Sequence, residues 1–171
     1  RAVSHLSKGK YMYTRLESAQ QKWGGSLTAI DNWLDERQRL IVRYCELAAL
    51  PPFDKKSGNS LPDQADIQHF CQLLMDYLSA GHFEVYEQIV SQCAVNGQDS
   101  RKLADSLYPK IAHSTDMALE FNDKYAEADG KTLSTNFDHD LSTLGQALVE
   151  RFDFEDELIQ TLHNKHFKAI T

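Results

Sequence analysis

The sequence predicts an all-α protein: an antiparallel bundle of four long helices joined by shorter ones. Three observations predict it. Leu and Ala together number 35 while Val and Ile number 13, a balance that favours helix over sheet. Gly and Pro are gathered at a few places: Gly24-Gly25, Pro51-Pro52 through Pro62, Gly81, Asn96-Gly97 and Gly130. The segments between them are long enough for helices and too long for strands. No stretch alternates apolar and polar residues with period 2, and no internal repeat is present.

The elements follow in order. Residues 14–23 read as a short helix stopped by Gly24-Gly25. Ser26 can cap a second helix running to about Leu50. Pro51 to Pro62, with Lys55 and Lys56, reads as a mobile loop. Helices are expected over about 63–80 and 82–95. Asp99 can cap another towards Ala126, with Pro109 kinking or splitting it. The last covers roughly 134–166, and antiparallel packing of the four longest makes the bundle. Residues 1–13 are basic and unpatterned at their start and read as a disordered leader or an added tail, leaving 14–171 as one domain.

Composition and charge bound the function. With 171 residues, 42% hydrophobic and 25% charged, the chain is an ordinary globular domain. Its apolar runs are too short to span a bilayer. Cys45, Cys71 and Cys93 are odd in number and lie within apolar patterns, which suits reduced, buried thiols in a cytoplasm. The formal net charge is −7, and it is unevenly spread. From Ser57 to Ser100 there is no Lys or Arg, against six acids. Residues 138–164 hold seven acids and Arg151 alone. Such a field repels nucleic acid and favours a basic partner.

Helical faces single out particular residues. The third helix buries Ile67, Phe70, Cys71, Leu74 and Leu78, with Tyr77 at the edge of the stripe. Asp76 lies nearly opposite, beside His69, Gln72, Leu73 and Ala80. A carboxylate among small apolar groups can receive an Arg and pack its aliphatic stem; the plain alternative is a solvated Asp beside a chance exposed Leu. In the 26–50 helix, Ile30, Leu34, Ile41 and Cys45 form one apolar edge, and Trp33, Leu40 and Leu47 another. So wide an arc meets two neighbours, or one neighbour and a partner protein. An exposed Trp33–Leu40–Leu47 edge would permit self-association and a buried one would not. Arg37, between the edges, is expected to pair with a carboxylate of another helix. The last helix carries a stripe of Phe137, Leu141, Leu144, Leu148, Phe152, Ile159 and Leu162. Glu155 falls within it and Arg151 beside it, so these two are expected to pair with each other or with other polar groups.

Signals for chemistry are weak. Repeated Glu-x-x-His, the signature of di-iron bundles, does not occur. No Cys-x-x-Cys, phosphate-binding loop, Gly-x-Ser-x-Gly or dinucleotide fingerprint is present. His163 and His166 could touch one metal ion, or His163 could carry a phosphoryl group near Lys165 and Lys168, but helix ends often hold such residues for the dipole. The residues by themselves therefore describe an acidic helical domain that binds something basic, without a catalytic role or cofactor. An acidic scaffold for a basic regulatory protein and a His-phosphotransfer module are the alternatives.

Several strings resemble the Rsd/AlgQ family of bacterial regulators. They are Ala19-Gln20-Gln21-Lys22-Trp23-Gly24-Gly25, Asp31-Asn32-Trp33-Leu34-Asp35-Glu36-Arg37, and the run from Phe70 to Glu87 containing Asp76-Tyr77-Leu78-Ser79-Ala80-Gly81-His82-Phe83. Phe121-Asn122-Asp123-Lys124-Tyr125 and Glu150-Arg151-Phe152-Asp153-Phe154-Glu155-Asp156 extend the likeness, which looks closer to the AlgQ branch. The resemblance implies a cytoplasmic anti-sigma factor. Its partner would be region 4 of the housekeeping sigma factor, with no direct nucleic-acid or membrane contact, and the protein would be a monomer or weak dimer. Asp76 matches the family position important for sigma binding. Leu73, Tyr77, Ala80 and Phe83 are expected to line the same surface. Trp33 and Arg37 match a family motif, either touching the partner or bracing the bundle.

Overall fold

The computed structural model describes residues 5–23, 28–49, 63–80, 98–127 and 136–170, all helical apart from short turns at the helix ends. The helices are α1 (His5–Trp23), α2 (Thr28–Leu47), α3 (Gln64–Ala80), α4 (Gln98–Tyr125) and α5 (Phe137–Ile170). The helix expected over 82–95 and the 51–62 loop lie outside the described residues. Local signals account for the helix starts. Asp63 immediately precedes α3 and its carbonyl accepts from the Ile67 amide at 3.1 Å. Asp138 and Asp140 place negative charge in the first turn of α5, where the helix dipole favours it. At the other end of α2, the chain turns at Ala49, whose φ of 53° is left-handed, just before Leu50-Pro51-Pro52. α4 runs through Pro109 without a break, so the proline neither splits the helix nor ends it.

Packing joins α1 to α2, α2 to α3, α3 to α4, α4 to α5 and α5 back to α1. Among the described residues the helices form a closed ring of five, which cannot alternate direction throughout, so at least one neighbouring pair must run parallel. That pair is α1 and α5: Lys8 meets Ser142, while Arg15, two turns on, meets Asp153 and Asp156. The other pairs are antiparallel, as expected. Arg37 meets Tyr77 and Tyr44 meets Phe70 across α2 and α3. Arg151 meets Ile111 and Tyr125 meets Phe137 across α4 and α5.

The start of α1 departs from the sequence reading. Residues 5–13, taken from sequence as part of a leader, are helical, and Met12 and Lys8 are buried. Lys8 Nζ donates to the Ser142 carbonyl at 2.9 Å. A Lys with an aliphatic stem can line a helix interface when its ammonium finds a carbonyl at the end, and no apolar periodicity announces that.

The apolar stripes read from sequence form the core. Ile67, Phe70, Cys71, Leu74 and Leu78 of α3 are buried, as are Phe137, Leu141, Leu144, Leu148, Phe152 and Ile159 of α5. Both edges of α2 are interior, including Trp33, Leu40 and Leu47, so that second edge offers no exposed surface for self-association. One aromatic layer joins Tyr44, Phe70, Phe121, Tyr125 and Phe137 through ring contacts of 4.7 to 6.2 Å. A second, at the other end, joins Trp33, Tyr77 and Phe152. Burial of each such side chain contributes about 1.5–3 kcal/mol.

Candidate partner-binding face on the second and third helices

α3 shows two faces because each residue advances about 100° round the helix. Tyr77 therefore points inward while Asp76 points out. Asp76, Gln72 and His69 are exposed, and Leu73 and Ala80 are partly buried. The Asp76 Oδ1 accepts from Gln72 Nε2 at 2.9 Å, one turn back. No Lys or Arg pairs with Asp76 among the described residues. Beside this face an open groove of about 650 Å³ runs between α3 and α2, with Val42 and Leu73 supplying its apolar surface and Asp35, Arg39 and His69 among its polar lining.

Beneath the face lies a buried polar cluster. Arg37 Nη1 donates to Asp156 Oδ1 at 2.6 Å and Nη2 to Glu155 Oε2 at 3.3 Å. Its Nε donates to the Tyr77 hydroxyl at 3.0 Å. That hydroxyl in turn donates to Glu155 Oε2. Arg151 Nε donates to Glu155 Oε1 at 2.5 Å, and its Nη1 to Ser114 Oγ and Thr115 Oγ1 at 3.0 and 2.7 Å. Two guanidinium groups thus face two carboxylates, and the cluster is neutral. Burial disfavours the Arg37 charge, yet Tyr77, Asp156 and Glu155 more than offset that and hold the guanidinium firmly protonated. Its Cζ lies over the rings of Trp33 and Phe152, 5.2 and 4.9 Å from their centroids.

The site residues expected from sequence therefore separate. Asp76, Leu73 and Ala80 share the outer side of α3. Tyr77, expected with them, is fully buried, because its ring stacks on Trp33 at 5.7 Å and its hydroxyl belongs to the ionic cluster. Trp33 and Arg37 are also interior and brace the bundle. The expected Arg37 pairing with a carboxylate of another helix is present, as is the Arg151–Glu155 pair. Phe83 lies outside the described residues, as do the side chains of His163 and His166. Sequence reasoning missed the α2 wall of the groove, since Asp35, Arg39 and Val42 are single surface residues until α3 is laid beside them. It also missed Asp156 as the second partner of Arg37.

Burial pushes the thiols of Cys45 and Cys71 up to about 11, with Glu46 adding to the effect at Cys45, so both are protonated at neutral pH and poor nucleophiles. Among the described residues no three His, Cys, Asp or Glu side chains converge as metal ligands. Nor is any described helix long and apolar enough to cross a membrane.

Known proteins are similar to this chain over most of its length. A regulator of sigma D from Yersinia enterocolitica is 39% identical over 153 residues, covering 87% of this chain and 89% of that protein. One from Yersinia pseudotuberculosis is 37% identical over 87% of this chain and 88% of its own length. A third, from an Enterobacter species, is 36% identical over 92% of this chain and 94% of its own length. Residues 12–163, which take in at least part of each described helix and both walls of the groove, match the family described as regulator of RNA polymerase sigma(70) subunit, Rsd/AlgQ, and the chain belongs to that family.

Proposed function

We propose that this protein is an anti-sigma factor that sequesters region 4 of the housekeeping sigma factor. Region 4 is a basic helix-turn-helix module, and its capture would keep it from core RNA polymerase and from the −35 promoter element. The observation that carries the reading is the outward Asp76, exposed between Leu73 and Ala80 on a helix without Lys or Arg. An Arg of the partner can pair with that carboxylate while its stem packs on the apolar neighbours. Binding is competitive and needs no bond-making step or cofactor. The protein acts in the cytoplasm, one chain to one sigma domain.

Calorimetric titration with the isolated C-terminal domain of the housekeeping sigma factor tests the proposal. Saturable one-to-one binding is expected, weaker at higher salt because part of the attraction is electrostatic. Asp76→Ala is expected to lose about 1–3 kcal/mol of binding free energy, the worth of a charge-assisted hydrogen bond. Absence of binding at low salt overturns the anti-sigma reading. Binding that ignores the substitution keeps the function and removes Asp76 from the interface.

A further inference from the structure

The groove between α2 and α3 has a polarity along its length. The register that sets Arg37 against Tyr77 and Tyr44 against Phe70 brings Val42 level with Leu73, and brings Asp35 to the same end as Asp76. The middle of the groove is apolar, with Val42 and Leu73 both partly buried. Its cations are already engaged on their own helix: Arg43 with Glu46 at 3.0 Å and Arg39 with Glu36 at 3.7 Å. Asp35 and Asp76 are both exposed, and neither has a cationic partner among the described residues. Asp35 lines one end of the groove, and Asp76 lies just outside it, one turn beyond Leu73 on the same side of α3 and towards that end; the cations of the lining are balanced on their own helix.

We infer that this groove seats one amphipathic helix of the basic partner, with an Arg or Lys of that helix between Asp35 and Asp76 and an apolar side chain one or two turns along it on Val42 and Leu73. The inference rests on the anti-sigma reading and adds α2 as a second wall of that site. Helix-in-groove binding places its anchors at i, i+3, i+4 and i+7. The grooved side of α2 offers a ladder of Asp35, Arg39, Val42 and Glu46, and α3 offers His69 and Leu73 in the groove, continued beyond it on the same helix face by Asp76 and Ala80. A loop or an extended strand would not meet both ladders at once. The charge separation also sets the direction of the bound helix, since reversing it would leave the basic residue beside Arg43.

Titration of the full chain with the isolated sigma C-terminal domain, at fixed salt, tests the inference with Asp35→Lys, Val42→Arg and Asp123→Lys. Asp123 is exposed on α4, which does not line the groove, and its reversal alters net charge as much as Asp35→Lys does. Asp35→Lys and Val42→Arg are each expected to weaken binding about tenfold or more, and Asp123→Lys less than about threefold. Unchanged helical signal and melting temperature show that the variants fold. Should either fail to fold, Asp35→Asn and Val42→Ala replace them, with about threefold weakening expected. If both groove variants bind within about twofold of wild type while Asp76→Ala is impaired, the groove is overturned and the Asp76 site stands. Equal weakening by all three charge-altering variants also overturns the groove, because a diffuse field then explains the binding. No binding by the wild-type chain overturns the anti-sigma reading and this inference together.

Discussion

Arg37 shows how one residue is settled by its surroundings. A guanidinium on an apolar face must find anions, since an isolated buried charge is prohibitively costly. Two carboxylates of α5 and the Tyr77 hydroxyl meet that need. Tyr77→Phe keeps the stacking on Trp33 and the edge contact with Phe152 but removes the donor to Glu155 and the acceptor for Arg37. It is expected to destabilise the fold by about 1–3 kcal/mol in urea denaturation. Arg37→Met, which leaves Glu155 and Asp156 with too few cations, is expected to cost more, about 3–5 kcal/mol. Asp140 supplies a pH dependence. Hydrogen bonds from Lys124 and Tyr125 hold its carboxyl below the ordinary value near 3.8. Its contribution is therefore present above that value and is lost as pH falls through the lower, native value. Asp140→Asn should flatten the acid limb of a plot of urea midpoint against pH, and an unchanged limb would assign acid sensitivity elsewhere.

At the scale of the helix, close approach decides more than propensity. Gly145 sits within α5, where glycine costs about 1 kcal/mol relative to alanine. The reason for it is on α2 and α1: a Cβ there would fall on the Tyr44 hydroxyl and lie 3.1 Å from the Lys8 Cδ. The Tyr44 hydroxyl donates to the Leu141 carbonyl at 3.1 Å and cannot withdraw without losing that bond. Gly145→Ala is expected to destabilise by about 1–3 kcal/mol despite its better propensity. Adding Tyr44→Phe should recover part of that loss, a non-additivity readable in a double-mutant cycle. The end of α2 offers the opposite case. Ala49 holds a left-handed conformation that costs a residue with a Cβ about 1 kcal/mol. Ala49→Gly is expected to raise the melting temperature by relieving it.

The ring formed by the described helices is settled at the scale of the whole molecule. Stripes at helical spacing announced α2, α3 and α5, because apolar periodicity is local; α4 was placed only by the Gly and Pro residues around it and the Asp99 cap. The first two turns of α1 were not legible. Their hold on the bundle comes from Lys8 reaching the Ser142 carbonyl and Tyr11 facing Asp153, contacts between residues more than 130 positions apart. Asp76 could be placed on an outer face from its angle round the helix alone. Tyr77 could not be placed, because an edge position turns inward or outward according to whether a distant hydroxyl acceptor exists, and here Glu155 provides one.

By itself, then, the sequence determined the helical class, the apolar stripes of α2, α3 and α5, the acidic field and the outward Asp76. Each depends on residue type and spacing within one helix. Tertiary structure alone decided which carboxylates neutralise Arg37, why Gly145 must lack a side chain, and which residues of α2 stand beside Leu73. Those outcomes depend on the register between helices, which is set by the packing of the whole ring and is written in no single segment.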